Sequence, residues 1–315
     1  MDTASVPCDV ITIADLCADL ILSGEDVVPE FSQVEKIVPR YALRMGGSCS
    51  IFACQCAKLG ARTSVVGALG LDGFGDLIMA TLERAGVLTD QVRRDEAIST
   101  GLTVILAAPD DRAMLTCLGG IDVVDGSYLS EGTLRGARHL HIGSYFLLQR
   151  LQPHLPQIAR TARSLGLSIS LDTNWDPANT WQSGLPQLLP LVDVLLPNEA
   201  EAMAIAGTSS VESAAEALAQ IVDTVVIKRG RHGALIRQGD TAIAVDSPAV
   251  DVVDTVGAGD SFDAGFIASH LRGESLEQSA RCACICGALS TRAAGGEEGQ
   301  ATREEVMREL ERLGG

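Results

Sequence analysis

DTVGAGDSFDAGF, residues 254–266, poses the problem on which the reading of the chain turns. Three small residues, Gly257, Ala258 and Gly259, stand directly before a carboxylate, Asp260, and an apolar helix follows. A second carboxylate, Asp254, comes just ahead of them. Small residues at a helix start leave backbone N–H groups facing outward, which makes an anion site. An aspartate in the same spot repels an anion, so it needs a reason to be there. A dinucleotide fingerprint, GxGxxG, requires glycine where Phe262 stands, and the string lies near the carboxyl end rather than after a first strand, so that reading fails. A P-loop, GxxxxGK[ST], occurs nowhere in the chain. Phosphoryl transfer remains: helix-start amides hold charge developing on a moving phosphate, and Asp260 accepts the proton of the attacking hydroxyl. A purely structural helix start, with a first-turn acid complementing the macrodipole, is the other account, and Gly-Asp alone does not separate the two.

Outward from that string, the chain alternates. Apolar strands are expected over 9–14, 63–69, 138–144, 167–173, 192–197 and 223–230, and helices over 48–59, 76–86 and 154–165 and from Asn198 onward. Helices are expected again over 259–271, 276–293 and 302–313. Strands that read as apolar throughout and are separated by helices imply a mainly parallel sheet covered on both faces. Residues 20–45 and 99–118 carry β-type residues without covering helices, which predicts a small projecting sheet, a lid or dimer surface. With no low-complexity linker, residues 1–315 read as one domain with a lid.

The 315 residues carry a formal net charge of −17 and are 46% apolar. A nucleic-acid or anionic-membrane surface needs a basic footprint, so neither partner is expected. No apolar run approaches the roughly 18 residues of a membrane helix, and no basic stretch precedes the first apolar one, so a cytoplasmic protein is expected. Nine cysteines without a CxxC pair read as small buried side chains of a reduced compartment. On a helix Cys282 and Cys286 would share a face, which leaves a soft-metal site as the other reading.

The string 254–266 closely resembles the DTxGAGDxF signature of the ribokinase, or PfkB, family of carbohydrate kinases. The resemblance continues at Gly46-Gly47, VVGALGLDGFGD (65–76), DTN (172–174), NEAE (198–201) and IKRGRHGAL (227–235). It implies a ribokinase-like three-layer α/β fold, ATP and Mg²⁺ as cofactors, Asp260 as catalytic base, and the amides of Gly257, Ala258 and Gly259 as anion hole. By the same resemblance Asn198 and Glu201 organise Mg²⁺, largely through water, and the nucleotide phosphates. Magnesium keeps several waters, so one carboxylate and one amide suffice, although the pair also reads as an ordinary helix cap. Lys228 and Gly230 become nucleotide contacts. Asp254 and the Val256 carbonyl, completed by 291–296, resemble the family's monovalent-cation site, which makes K⁺ a candidate activator. A non-catalytic binding or regulatory member of the same fold is the alternative.

At the acceptor side, Asp19 aligns with a family aspartate that hydrogen-bonds substrate hydroxyls, with Asp15 a secondary candidate, and a carboxylate is a suitable acceptor for a diol. Gly46 and Gly47 would let a sugar ring approach the backbone. Two residues depart from the family pattern. Ile51 stands where an asparagine is usual, and Asp176 where relatives acting on keto-sugar acids carry arginine. Ser48 occupies a position where phosphosugar kinases often have lysine. A neutral hexose, pentose, polyol or nucleoside is therefore expected, with Asn174, Trp175 and Tyr145 as candidate lining, and a homodimer through the lid.

Overall fold

The computed structural model describes residues 7–108 and 112–314. The large sheet contains β1 (Cys8–Ile13), β4 (Thr63–Gly70), β5 (Leu88–Asp95), β8 (Ala137–Ile142), β9 (Ser168–Leu171), β10 (Val194–Leu195), β11 (Thr224–Lys228), β12 (Ala234–Gln238) and β13 (Thr241–Val245). Its order is β13-β12-β11-β10-β9-β8-β1-β4-β5, parallel from β11 to β5 and antiparallel only at β11-β12-β13. The lid is a second sheet, ordered β3-β2-β6-β7, of β2 (Cys17–Ser23), β3 (Arg40–Met45), β6 (Gly101–Ala107) and β7 (Arg112–Cys117). It stands where 20–45 and 99–118 are expected to project, and residues 109–111 of that range lie outside the described residues.

The helices are α1 (Ser48–Lys58), α2 (Gly73–Arg84), the single turn α3 (Glu131–Leu134), α4 (Leu155–Ser164), the single turn α5 (Leu185–Leu188), α6 (Glu199–Ala206), α7 (Val211–Leu218), α8 (Ala258–Leu271), α9 (Leu276–Ser290) and α10 (Arg303–Arg312). Strand alternation sorts side chains into two layers. Ile11, Ile13, Val66, Ala68, Leu140 and Ile142 pack with α4, α5 and α7. Val10, Val226 and Ile236 pack with Phe52 of α1 and Phe266 of α8, while Val65 and Leu69 pack with α1 and α2. A sheet covered on both faces opens to ligand only at its carboxyl edge, where helix starts converge.

Two strands expected to be apolar throughout are not. On the α1/α8 face, β8 and β9 carry a buried polar row. His139 bonds Ser168 Oγ and Ser170 Oγ at 2.7 Å each, and His141 bonds Ser170 Oγ at 2.8 Å. Phe52 stacks on His141 with centroids 3.7 Å apart. Burial drives both imidazoles toward the neutral form, His141 down to about 3. The sequence reading also passed over α7, the polar strand β5 and the largely exposed strand β13; the two strands form the edges of the sheet.

The described cysteines other than Cys117 are buried. Among the described residues no three His, Cys, Asp or Glu side chains group as a metal cage. Burial of the thiols fits the packing reading.

Candidate active site

Asp260 lies in the first turn of α8, whose cap residue Gly257 adopts φ +73. Only glycine takes this left-handed conformation without strain, and here it also answers a close approach. A Cβ on Gly257 would come 2.6 Å from the Gly296 Cα and 3.0 Å from the Ile51 Cγ2. The first intrahelical bond runs from Ser261 N to Gly257 O at 2.9 Å. The amides before it have no carbonyl four residues back, which is the donor set an anion hole requires. Ala258 N makes only a long 3.3 Å turn contact to Thr255 O. Asp254 fixes this corner: its carboxylate accepts Val256 N at 3.0 Å and Gly295 N at 2.9 Å, tying residues 254–257 to the loop 291–296.

Half-buried, Asp260 has its carboxyl pushed up to about 7 by burial and by the Asp172 carboxylate, against the opposing pull of Lys228. A base poised near neutrality suits proton abstraction from an alcohol. Ser48, at the start of α1, lowers the pKa of the same carboxyl and accepts Asn174 Nδ2 at 2.8 Å. Asn174, at φ +54, also donates to Ser144 Oγ at 2.9 Å, and Ser144 Oγ donates to Asp15 at 2.5 Å. Asp15 in turn accepts Ser48 N at 3.0 Å and Cys49 N at 2.9 Å, capping α1 from another segment. Asn174 and Ser48 are thus brought to Asp260, whereas Asp15 serves as the brace behind them.

Asp19 on β2 is buried. Its carboxyl is pushed up to about 7 by burial and by the neighbouring Asp15. A Cβ on Gly46 would fall 2.1 Å from Asp19 Oδ1, and one on Gly47, at φ +85, would fall 2.2 Å from the Asp15 carbonyl oxygen. The paired glycines therefore admit the two aspartates to the acceptor corner.

Asn198 and Glu201 form a reciprocal capping box on α6: Asn198 N donates to Glu201 Oε2 and Glu201 N to Asn198 Oδ1, both at 2.9 Å. Glu201 is buried, and burial together with Asp172 pushes it up to about 7. Lys228, expected as a nucleotide contact, instead turns its ammonium to Asp172 at 2.9 Å and Asp263 at 3.1 Å. Gly230, at φ +53, lies exposed on the following turn.

The carboxylates of Asp172, Glu201, Asp260 and Asp263 therefore face one ammonium. These acids outnumber the ammonium, and magnesium, which takes most of its ligands from water and phosphate oxygens, would need few of them.

Tyr145 and Asp176 stand differently from expectation. Tyr145 is core: it is 1% exposed and donates its hydroxyl to Ser183 O at 2.6 Å. Trp175 is 55% exposed and packs edge-on against Trp181, with centroids 5.1 Å apart. Asp176 does not present its charge to an acceptor, because it accepts Ala178 N, Thr180 N and Oγ1, and Trp181 N at 2.7–3.0 Å, all within its own loop. Ile51, in the asparagine position, is buried against Gly257 and Gly296. Asp172 and Asp263 escaped the sequence reading, although both stand inside quoted motifs, and Asp263 lies three residues after Asp260, on one helical face with it.

A model described as pfkB family carbohydrate kinase matches residues 9–303. A ribokinase of Haemophilus influenzae is 26% identical over 310 residues, covering 95% of this chain and 97% of that protein. An ATP-dependent ribose-1-phosphate kinase of Halopiger xanaduensis is 32% identical over 248 residues, covering 78% and 79%. In fold, the chain superposes with a TM-score of 0.87 on a putative ribokinase II from E. coli in complex with ATP and Mg²⁺, at 24% identity and covering 97% and 99%.

Proposed function

The chain belongs to the pfkB family of carbohydrate kinases, which are ATP-dependent phosphotransferases with an alcohol group as acceptor. From that premise we propose that it transfers the γ-phosphoryl group to a hydroxyl of a small neutral sugar, polyol or nucleoside. The observation that carries this reading is the placement of Asp260: a carboxyl held near neutrality in the same helical turn as the amides of Gly257, Ala258 and Gly259. Asp260 takes the proton of the acceptor hydroxyl as the oxygen attacks phosphorus, and the three amides receive the charge on the transferring phosphoryl oxygens. Ser48 steadies the Asp260 carboxylate and is itself held by Asn174.

Asp19 holds acceptor hydroxyls, with the Gly46-Gly47 backbone against the ring. Magnesium, when bound at Asn198 and Glu201 through water, supplies charge neutralisation for the nucleotide phosphates. Gly230, exposed on the turn after β11, is a nucleotide contact. Neutral acceptors are favoured because Ser48 stands where phosphosugar kinases often carry lysine.

Potassium bound at Asp254 and the Val256 carbonyl would brace the corner those residues already hold; equal initial rates in K⁺ and in a bulky organic cation remove that part. The outer lid face suits pairing with a second copy, since β7 is exposed throughout and Tyr41 and Leu115, which share that face, are 76% and 63% exposed. Light scattering that returns a monomeric mass refutes the pairing.

The decisive experiment is ADP release over a panel of neutral sugars, polyols and nucleosides, with Asp260→Asn in parallel. Turnover is expected to fall by roughly three or more orders of magnitude in the variant, with ATP binding retained. Unchanged turnover refutes the assignment.

A further inference from the structure

The buried face of the lid carries a polar row that the proposed chemistry uses only at Asp19. Strand register pairs Asp19 of β2 with Arg44 of β3 on one side and with Thr103 of β6 on the other, and it pairs Thr103 with Thr116 of β7. Residues in register on neighbouring strands point to one face, so Arg44, Asp19, Thr103 and Thr116 form a strip across all four strands. The next row on that face, two residues away, is Ala42, Ile21, Ile105 and Met114, and it is apolar throughout. Asp19 and Thr103 are each 7% exposed, whereas Thr116 lies exposed on the edge strand. The two threonine hydroxyls meet at 3.1 Å. Each hydroxyl brings one hydrogen and two lone pairs, so their mutual bond leaves the pair with further capacity to donate and accept. The Cys17 thiol, a weak donor, lies 3.8 Å from Asp19 Oδ1 and leaves that carboxylate most of its accepting capacity. Arg44, the fourth member, is committed elsewhere: its guanidinium reaches Glu298 at 3.1 Å and Leu43 O at 3.2 Å.

Resting on the proposed role of Asp19 in holding acceptor hydroxyls, we infer that Thr103, braced by Thr116, is a specificity-determining residue that hydrogen-bonds a second acceptor hydroxyl beside the one held by Asp19. Neighbouring strands lie about 4.8 Å apart, so the carboxylate and the threonine hydroxyl reach adjacent positions of one small ring. The carboxylate accepts from one hydroxyl and Thr103 exchanges a hydrogen bond with the next, a pattern that fits a vicinal diol. The acceptor class narrows accordingly, to sugars, polyols and ribonucleosides with two adjacent free hydroxyls away from the one that attacks phosphorus. A threonine pair placed for sheet stability alone takes no part in that choice. A site built to bond a hydroxyl rejects the analogue lacking it, because its own buried polar group is then left unpaired.

The test is ADP release by the full chain and by Thr103→Val, Thr103→Ser, Thr116→Val and Asp19→Asn. The acceptors are D-ribose, myo-inositol and adenosine, each beside analogues lacking one hydroxyl. The parent should reject two neighbouring deoxy analogues of its best acceptor by roughly 10²-fold or more in kcat/KM. Valine keeps the shape and strand preference of threonine, so Thr103→Val removes little but the hydroxyl. It should abolish the discrimination at one of the two positions, to within about threefold, and keep it at the other. On the full acceptor it should lose kcat/KM by about 10- to 100-fold, mostly through KM, with the KM for ATP changed by less than about twofold. Thr103→Ser keeps the hydroxyl and should stay within about threefold of the parent on every acceptor. Thr116→Val should weaken the same discrimination by about three- to tenfold. Discrimination unmoved in Thr103→Val overturns the inference. So does a loss shared equally by the full acceptor and its deoxy analogues, which marks a purely structural threonine. Asp19→Asn separates the two layers. If it raises the acceptor KM while Thr103→Val leaves discrimination intact, only this inference fails. If no acceptor releases ADP, or Asp19→Asn leaves the acceptor KM unchanged, the acceptor-site reading fails first and takes this inference with it.

Discussion

Gly257→Ala tests whether the corner before Asp260 is held as tightly as its contacts imply. The added methyl meets two penalties. Gly257 sits at φ +73, where a non-glycine residue costs about 1–2 kcal/mol. The new Cβ would also lie 2.6 Å from the Gly296 Cα, and carbon atoms rest at about 3.5–4.0 Å, so something must move by roughly 1 Å. Gly296 gives way poorly, since its neighbour Gly295 is tied to Asp254 at 2.9 Å and Ile51 closes the other side. The cap of α8 therefore shifts, carrying the anion-hole amides out of line with Asp260. A misplacement of about 1 Å in a reacting array costs on the order of 10²-fold in rate.

Gly60→Ala is the control, because Gly60 has φ +90 but nothing within 4 Å of its Cβ position. Both variants should melt lower, by about 2–4 °C per kcal/mol of strain, and only Gly257→Ala should lose kcat by roughly 10²-fold in a coupled ADP-release assay. A Gly257→Ala enzyme within threefold of the parent kcat refutes the reasoning. So does a Gly60→Ala enzyme that loses as much.

Asp260→Asn should melt about 2–5 °C above the parent at pH 8, with the difference shrinking as pH falls below about 7 and gone only below about pH 4. The folded-state carboxyl titrates near 7 and the unfolded one near 4, so keeping it ionised at pH 8 costs stability that the amide does not; equal melting at pH 8 contradicts this. The parent protein without ligands should lose melting temperature as pH rises from about 4 to 7, where the folded chain keeps protons on Asp19, Glu201 and Asp260 that the unfolded carboxyls have already shed. His139 and His141, which stay neutral where the unfolded chain takes up protons below about 6.5, offset part of that fall. A melting temperature that rises steadily from pH 6 to 8 defeats that account. Asp19→Asn should raise the acceptor KM roughly tenfold or more while changing ATP affinity by less than about twofold, and an unchanged acceptor KM removes Asp19 from the site.

Much of the site was legible because its parts are punctuated locally. Gly46-Gly47, the 257–260 turn and the Asn198 cap each sit where an apolar strand or loop hands over to a helix, and glycine or a capping residue marks such junctions whatever the remote partners are. The parallel sheet followed from unbroken apolar runs, and the lid from β-type segments lacking helices. What stayed hidden is pairing between distant segments. Lys228 finds Asp172 across 56 residues and Asp263 across 35, and no local spacing announces either bond. Lys228 at a strand end was read as a nucleotide contact, and its carboxylate partners come into view only in the fold. His139 and His141 alternate with Leu140 and Ile142, yet their polarity is absorbed by Ser168 and Ser170 on a neighbouring strand. Strand β5, LTDQVRRD, was missed because an edge strand is freed from the apolar requirement that identifies central ones. Tyr145 misled because an aromatic beside a motif is as readily core as lining, and only its buried hydroxyl bond to Ser183 decides.

The same contacts join the acceptor lid to the phosphate corner. Arg44 of β3 lies along Gly295, where a Cβ would come within 3.1 Å of its side chain, and its guanidinium reaches Glu298 at 3.1 Å. Gly295 N–H is held by Asp254, whose other oxygen holds Val256 N–H, and the next residue caps α8. One short path of backbone thus runs from the lid to the amides facing Asp260, and Gly46 presses the lid's own Asp19 from the other side. In the proposed reaction, acceptor binding under the lid and alignment of the phosphoryl-binding amides would share this path of contacts, which would favour transfer to the bound alcohol over transfer to water.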